Sequence, residues 1–487
     1  MNDFALSLLL LGALSTGNQL PFWATTNQSG LMPEGSGGLT LLQAGTQYDT
    51  SKDFQWKWGV SLAGNVDTRS LAGAGNDVAH TADFSAMVDE LYGSVRWKAL
   101  SLDLGMKRFD RDFYGAGLQT LGSMSATGGN VIWSGNARTM PGYLLTLDPV
   151  PVPLTRKILW FHGAFGDFKT LDNRYVKGAL VHRTKLFALF KITPRLDFQM
   201  GVDHVAVWGG THPTHGTMPV TLRNYVRMFL GQSGEWSNDV RNTIGNQLGR
   251  EVFRLDWRGN GWKLALQHDI PYEDRSGILM ENFPDGINTL WFGFDDKDRW
   301  VSDILYEYHY TMWQSGTVHD KTTVPPQRGC DNYFNNSDYR SGWTYFGRTI
   351  GVPLLVPKGT HSGSWTGRQQ VLGVENNRLK AHHFSLSGKA FKKLPYKLML
   401  TYSQNYGTYY SPYKGESQWK KPWGTVKETP LHQVSAAFVG EIPLRAARFV
   451  AAGSALRHFT VTYGLFADRG QLLPDLFGGT LGLRWDL

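Results

Sequence analysis

The chain has 487 residues, 13% of them aromatic with 18 Trp, 56 Gly and a formal net charge of +8. No apolar run reaches the roughly 18–20 residues that a membrane-spanning helix needs. The single cysteine, Cys330, excludes an internal disulfide framework and argues against a cysteine-rich zinc site. The positive charge is not gathered into a basic stripe, which argues against a nucleic-acid partner and leaves acidic glycan or lipid phosphate as compatible ones.

Taken in chain order, the first element is "FALSLLLLGALS". Read with period two, Phe4, Leu6, Leu8, Leu10 and Leu14 share one face, and Ala5, Ser7, Ala13 and Ser15 occupy much of the other. A first β-strand is expected, with any export signal lying upstream or removed. A signal-peptide remnant is the alternative, although Asp3 and the missing Lys or Arg ahead of the run do not suit one. In "DFQWKWGVSLAGNVD", Phe54, Trp56, Trp58, Val60, Leu62 and Val66 oppose Gln55, Lys57, Gly59, Ser61, Asn65 and Asp67. Side chains of a strand alternate between faces, so each such stretch has one greasy and one wet side. The same design recurs over residues 94–107, 195–203, 251–267, 396–404, 458–468 and 479–487.

Alternation alone fits a sandwich or a barrel; the connections discriminate. Very short ones, at 50–53, 98–99, 192–194 and 392–395, alternate with long ones, at about 68–83, 109–157, 208–250 and 405–431. Tight turns at one end and long loops at the other are the pattern of a transmembrane barrel. Trp56 and Trp58 are then expected to face lipid near an interfacial aromatic girdle, with Lys57, Asn65 and Asp67 in the lumen. Direction alternates consistently if 158–192 holds three strands, giving an antiparallel barrel of about 18 strands in a single domain, 1–487. Within the 208–250 loop, Leu222, Tyr225, Val226 and Phe229 fall at helical spacing, predicting a short helix near 221–230.

Three loops carry sugar-compatible chemistry. Residues 330–355 combine Asn332, Asn335 and Asn336 with Tyr333, Tyr339, Trp343 and Tyr345. Amides donate and accept hydrogen bonds, and aromatic faces supply flat apolar contact. The same groups would equally serve a loop that plugs the lumen. Residues 125–145 carry Trp133, Asn136 and Arg138, and residues 405–424 crowd Tyr409, Tyr410 and Trp419 among lysines. Catalytic signals are poor: the cluster His268, Asp269, Glu273 and Asp274 is the nearest to an acid–base pair. His204, His212 and His215 fall in or beside a Pro-containing loop with no nearby carboxylate beyond Asp203, so no metal or other cofactor is expected.

The stretches "GNQLPFWATTNQSGLMP", "SGNARTMPGY", "DHVAVWGG", "EDRSGILMENFPDGI", "LYEYHYTMWQSG" and "DNYFNNSDYRSGW", in this order along nearly the whole chain, resemble the Wzi capsule-assembly family. The resemblance implies an outer-membrane barrel closed by internal loops. It implies a non-enzymatic, lectin-like protein that binds capsular polysaccharide at the cell surface and helps organise the capsule; other surface polysaccharide, outer-membrane lipid and lipopolysaccharide, and other capsule export components are the further partners expected. Enteric relatives carry a helical bundle at the periplasmic end, and nothing helical precedes the proposed first strand. A general or substrate-specific porin is the competing expectation.

Overall fold

The computed structural model describes residues 4–72, 78–108, 123–234, 236, 243–273, 277, 279–320, 322, 327–361, 373–447, 450–451 and 453–487. Eighteen strands follow one another: β1 (Phe4–Ser15), β2 (Ser36–Thr46), β3 (Phe54–Ala72), β4 (Val78–Trp97), β5 (Leu100–Met106) and β6 (Pro141–Pro151). Next come β7 (Leu159–Lys169), β8 (Leu180–Thr193), β9 (Leu196–Trp208), β10 (Asn246–Arg258), β11 (Trp262–Tyr272) and β12 (Gly286–Phe294). The last six are β13 (Asp303–Tyr310), β14 (Arg378–Ala390), β15 (Leu394–Gly407), β16 (Leu431–Pro443), β17 (Phe459–Gly470) and β18 (Leu476–Asp486).

Each strand pairs antiparallel with the next, and β1 pairs with both β2 and β18, Leu11 lying opposite Leu39 on one side and Gly482 on the other. The sheet is therefore a closed cylinder. Closure satisfies the backbone of every strand within the sheet, which hydrocarbon requires because it offers no hydrogen bonds.

The period-two rows behave as read. Trp56 and Trp58 are 51% and 37% exposed on the outer wall, and Phe54, Leu62 and Val66 share that row, while Asp67 is buried on the inner one. Trp97, Trp257, Trp300 and Phe391 ring the turn end, and Tyr306, Tyr402 and their neighbours ring the other. Two aromatic girdles flanking an apolar band are the mark of a barrel in a bilayer.

Both termini lie at the end with the tight turns, the periplasmic one. One connection there, 444–458, is longer than the rest and forms two 3-10 turns, Leu444–Ala446 and Ala455–His458. The long connections leave the opposite, extracellular end.

The strand count of 18 holds, but the expected distribution needs correction. Residues 158–192 contain two strands, not three. The missing one is β6, inside the stretch read as a single loop over 109–157. Pro141, Pro149 and Pro151 hide its alternation, since proline normally argues against a strand. Here two of them sit at strand ends, and a bulge between Leu147 and Val150 accommodates the third. Part of the loop expected over 68–83 is strand, because β3 runs to Ala72 and β4 begins at Val78.

Inside the extracellular half, part of the inner wall is apolar. Leu9, Leu11, Leu39, Val181, Val205, Val207, Leu379 and Ala381 pack in one cluster with Trp23, Val131, Ile132, Tyr333, Phe334 and Trp343, which come from the loops. Trp23 belongs to the short helix α1 (Phe22–Thr25), in the connection between β1 and β2. The barrel's core is thus its own folded-in loops.

Candidate functional site

The wall prepares the lumen for these loops with charge. Alternate positions on β8 to β11 place Arg183, Asp203, Arg250 and Asp269 inward, all buried. Arg183 grips Asp203 with Nε and Nη2, at 3.0 and 2.8 Å, and Arg250 Nη1 reaches Asp269 at 2.8 Å. Further round, Glu307 on β13 is buried as well.

Residues 123–140 use these groups to cross the barrel. The strap starts where His383 Nε2 on β14 lies 2.7 Å from the carbonyl of Met124. Ala126 N–H donates to Glu307 Oε2 at 2.7 Å, and Thr127 Oγ1 donates to the other carboxylate oxygen at 3.2 Å. Asn130 Nδ2 then donates to Asp203 at 2.7 Å, Arg250 Nη1 donates to the carbonyl of Gly129 at 3.1 Å, and the Thr139 hydroxyl donates to the carbonyl of Asp89 on β4. Strands β4 and β13 lie half-way round the circuit from each other. A segment bonded to both lies across the lumen.

Residues 330–355 sit on this strap. Trp343 Nε1 donates to the carbonyl of Ile132 at 2.5 Å, and Asn136 Nδ2 donates to the carbonyl of Thr349 at 2.9 Å. Tyr333 donates its hydroxyl to Asp285 at 2.8 Å, and Asn335 bonds both backbone groups of Val374, at 2.8 and 2.9 Å. Asn332 Oδ1 accepts from Asn377, and Asn336 Nδ2 donates to Asn246 at 3.1 Å. Tyr333, Trp343 and Asn335 are buried with these bonds made within the plug, and Tyr345 is buried with its ring against Phe346. Half-buried Trp133 is sandwiched by Trp343, Phe168 and the Arg183 guanidinium, the last 4.4 Å from its ring centre. Arg138 lies 4.4 Å from the ring of Phe346.

Burial also tunes the plug's titratable groups. It pushes the Asp285 carboxyl up to about 7, although the N–H groups of Trp313 and Gln314 donate to it at 2.8 and 2.6 Å. It pushes the Cys330 thiol up to about 12, which removes the thiolate at neutral pH.

The third loop is different. Tyr409 is buried: its hydroxyl donates to the carbonyls of Met312 and Trp313, at 2.9 and 2.5 Å, and Arg378 covers its ring at 4.0 Å. Tyr410 and Trp419 remain half-exposed, their rings 4.3 Å apart. Trp423 is 41% exposed and meets Trp313 edge to face at 5.0 Å. Lys420 lies over Trp419 at 5.6 Å. The backbone beneath is fixed: Lys420 N–H donates to the carbonyl of Thr317 at 3.0 Å, and Ser417 Oγ donates to the carbonyl of Tyr409 at 2.6 Å. Four aromatic side chains on a held surface can stack on the apolar faces of sugar rings. Trp313 and Trp423 were not among the expected ligands. Trp423 lies within the 405–424 loop, and Trp313 is distant from it in sequence.

A second feature, a cleft of about 560 Å³, opens beside the plug between Asn18, Gln19, Phe22, Glu34, Arg348 and Lys358. Asn136 is the one expected ligand on its lining.

The weaker candidates disperse. His268 and Asp269 are neighbours on β11 and so point to opposite faces, His268 outward to Asn288 at 3.0 Å and Asp269 inward to Arg250. Glu273 accepts the N–H of Phe334. Asp274 lies outside the described residues. The rings of His212 and His215 are 4.7 Å apart, and His204 is on the outer wall beside Gln247. Among the described residues, no cluster of three metal-ligating side chains forms.

The whole architecture has a solved counterpart. Wzi of Escherichia coli, described as an outer membrane protein involved in group 1 capsule assembly and a carbohydrate-binding β-barrel, superposes with a TM-score of 0.54 at 14% identity. The match spans 99% of this chain and 84% of that one. The chain is an outer-membrane β-barrel. OccK5 of Pseudomonas aeruginosa (TM-score 0.45, 9% identity, 99% of this chain and 97% of that one) also aligns. So does OccAB2 of Acinetobacter baumannii (0.43, 10%, 100% and 98%). No protein-family model and no curated protein matches the sequence. At these identities the likeness concerns the fold alone.

Proposed function

We propose that the chain is a non-enzymatic barrel that binds capsular or other surface polysaccharide at its extracellular face and assists capsule assembly or attachment. The observation that carries this reading is the strap over 123–140, bonded to opposite walls and overlain by residues 330–355. A lumen so filled favours capture at the mouth over passage through it. The aromatic surface of Trp313, Tyr410, Trp419 and Trp423 supplies stacking faces. The neighbouring cleft supplies amides and the cations of Arg348 and Lys358 for hydroxyl and carboxylate groups of an acidic glycan. Of the expected ligands, Tyr410 and Trp419 belong to that surface and Asn136 to the cleft; Trp133, Arg138, Asn332, Tyr333, Asn335, Asn336, Trp343, Tyr345 and Tyr409 hold the plug.

A substrate-specific porin is the second reading, favoured by the polar periplasmic half of the lumen. There Arg258 pairs with Asp197 at 2.7 Å, and Arg254 pairs with Asp256 at 2.9 Å. Purified protein is to be tested against a panel of capsular and other surface glycans, with planar-bilayer recordings in parallel. Saturable glycan binding with a silent bilayer is expected; steady open conductance without glycan binding would overturn the proposal in favour of the porin.

A further inference from the structure

The short helix α2 (Leu222–Phe229) lies on the outside of the barrel, which strand parity establishes. On β8, Val181 and Arg183 face the lumen core, so His182 between them faces out. On β7, Phe168 packs on the strap's Trp133, so Asp167 and Phe165 face out. Tyr225 of α2 donates its hydroxyl to Asp167 at 2.9 Å, and Met228 is buried against Ala206, Trp208 and Ile244 in a cluster separate from the lumen core.

The helix thereby covers a polar patch on an otherwise apolar wall. His182 is held between Asp167, at 2.9 Å, and Thr184, at 2.7 Å, and Tyr143 also donates to Asp167, at 2.5 Å. Bare, these groups would face the edge of the lipid phase, where unpaired polar groups are costly.

The remaining faces of α2 are ordered too. At about 100° per residue, Leu222, Val226 and Phe229 fall within about 60° of arc, with Arg223 and Arg227 beginning about 60° further round. The three apolar side chains are 80%, 46% and 42% exposed. Phe229 rests on Phe165, at 6.0 Å between ring centres, and Phe165 is further from the extracellular end of β7 than Asp167. The apolar stripe is therefore on the membrane side of the helix and runs on into the exposed row of Leu186, Met200 and Val202 below it.

We infer that α2 is an interfacial helix, seated at the acyl–headgroup boundary of the outer leaflet, with Leu222, Val226 and Phe229 in lipid. The occupant of the exposed stripe is a lipid surface because the stripe is continuous with the lipid-facing belt. Arginines on the adjoining arc place positive charge at the level of lipid phosphates, the arrangement of membrane-surface helices. This inference is independent of whether the barrel binds glycan.

Nitroxide labels test it. In a Cys330→Ser background, cysteine is introduced singly at Leu222, Val226 and Phe229, at Arg223 as the polar-face reference, and at Leu186 as the belt reference. The labelled proteins are reconstituted in vesicles of phosphatidylethanolamine and phosphatidylglycerol, with heat-modifiable gel mobility verifying the barrel. The ratio of collision with oxygen to collision with a water-soluble nickel chelate is expected to be several-fold higher at 222, 226 and 229 than at 223, approaching that at 186. Chelate access at the three positions equal to that at 223 would place the stripe in water and overturn the inference. Exclusion of both reagents would show it covered by protein, a partner or a second copy, and would overturn it equally.

Discussion

The strap over 123–140 and the outer loop over 408–424 have nearly the same vocabulary: Gly, Ser, Asn, aromatic rings and a few cations. Their fates differ because of what the wall offers them. The strap meets buried Glu307, Asp203 and Asp269, whose lone pairs need donors in a dry interior, and its N–H and amide groups supply them. The outer loop meets only the rim. There the Lys420 N–H holds it to Thr317 and the Tyr409 hydroxyl to the carbonyls of 312–313, leaving Trp423 exposed and Trp419 half-exposed. Aromatic, amide-rich loops are therefore not sugar sites by composition; the charge waiting on the strands decides which of them folds inward.

The contrast breaks most severely at Asp203. Asp203→Ala leaves Arg183 and Arg250 buried with their shared carboxylate gone, a change that costs about 3–5 kcal/mol. Urea unfolding of the protein in detergent micelles should register that loss, while Trp423→Ala on the outer loop should stay within about 0.5 kcal/mol of the parent. Equal losses at both sites would erase the distinction between plug and rim. Glu307→Gln is the next step down. It keeps the shape but removes the charge that accepts from Ser125, Ala126 and Thr127, for an expected loss of about 1.5–3 kcal/mol. Planar-bilayer recordings should then show more openings than the parent protein does, because the strap loses its hold on one wall.

Most of the barrel was legible before any coordinates, since lipid enforces period two on one face of each strand. The exception, β6, shows the limit: with prolines at 141, 149 and 151, its apolar row Tyr143, Leu145 and Leu147 was too short to stand out. The inner face was less legible. Leu9 and Leu11 interrupt the polar row of β1 because they meet Trp23 and Met32 of an infolded loop, a contact no local pattern announces. Helical spacing located α2 but could not tell that it lies outside the wall. That depended on Tyr225 finding Asp167, 58 residues away. Residue type and loop placement alone cannot separate buried Tyr333 from half-exposed Tyr410.

A pH dependence sharpens the comparison from the plug's side. Asp285 has a folded-state pKa raised to about 7 by burial, against about 3.9 in an unfolded chain. The folded protein therefore holds more protons between about pH 4 and 7, and stability falls as pH rises through that window. Between pH 6 and 8 the loss should be about 1.4 kcal/mol, and Asp285→Asn should abolish that slope. Trp313 of the stacking surface donates its N–H to Asp285, so glycan affinity of the folded parent, measured over the same range, shows whether that titration reaches the binding face.

The smallest effect falls where binding is proposed. Each stacked ring contributes about 0.5–1.5 kcal/mol beyond its buried area, so Trp423→Ala should weaken glycan binding by roughly threefold to tenfold. Tyr410→Ala should act in the same direction, because its ring lies against Trp419 and sets that indole's angle. Trp133→Ala is the matching substitution inside the plug: it removes the ring packed under Arg183 and beside Trp343, and should lower stability while leaving affinity of the folded fraction unchanged. Titration of all three variants against the best glycan of the panel, with folded fraction measured by gel mobility, separates the cases. A loss of affinity at Trp133 as large as at Trp423 would mean that the plug itself touches ligand, and the division between an inward loop that seals and an outward loop that binds would not stand.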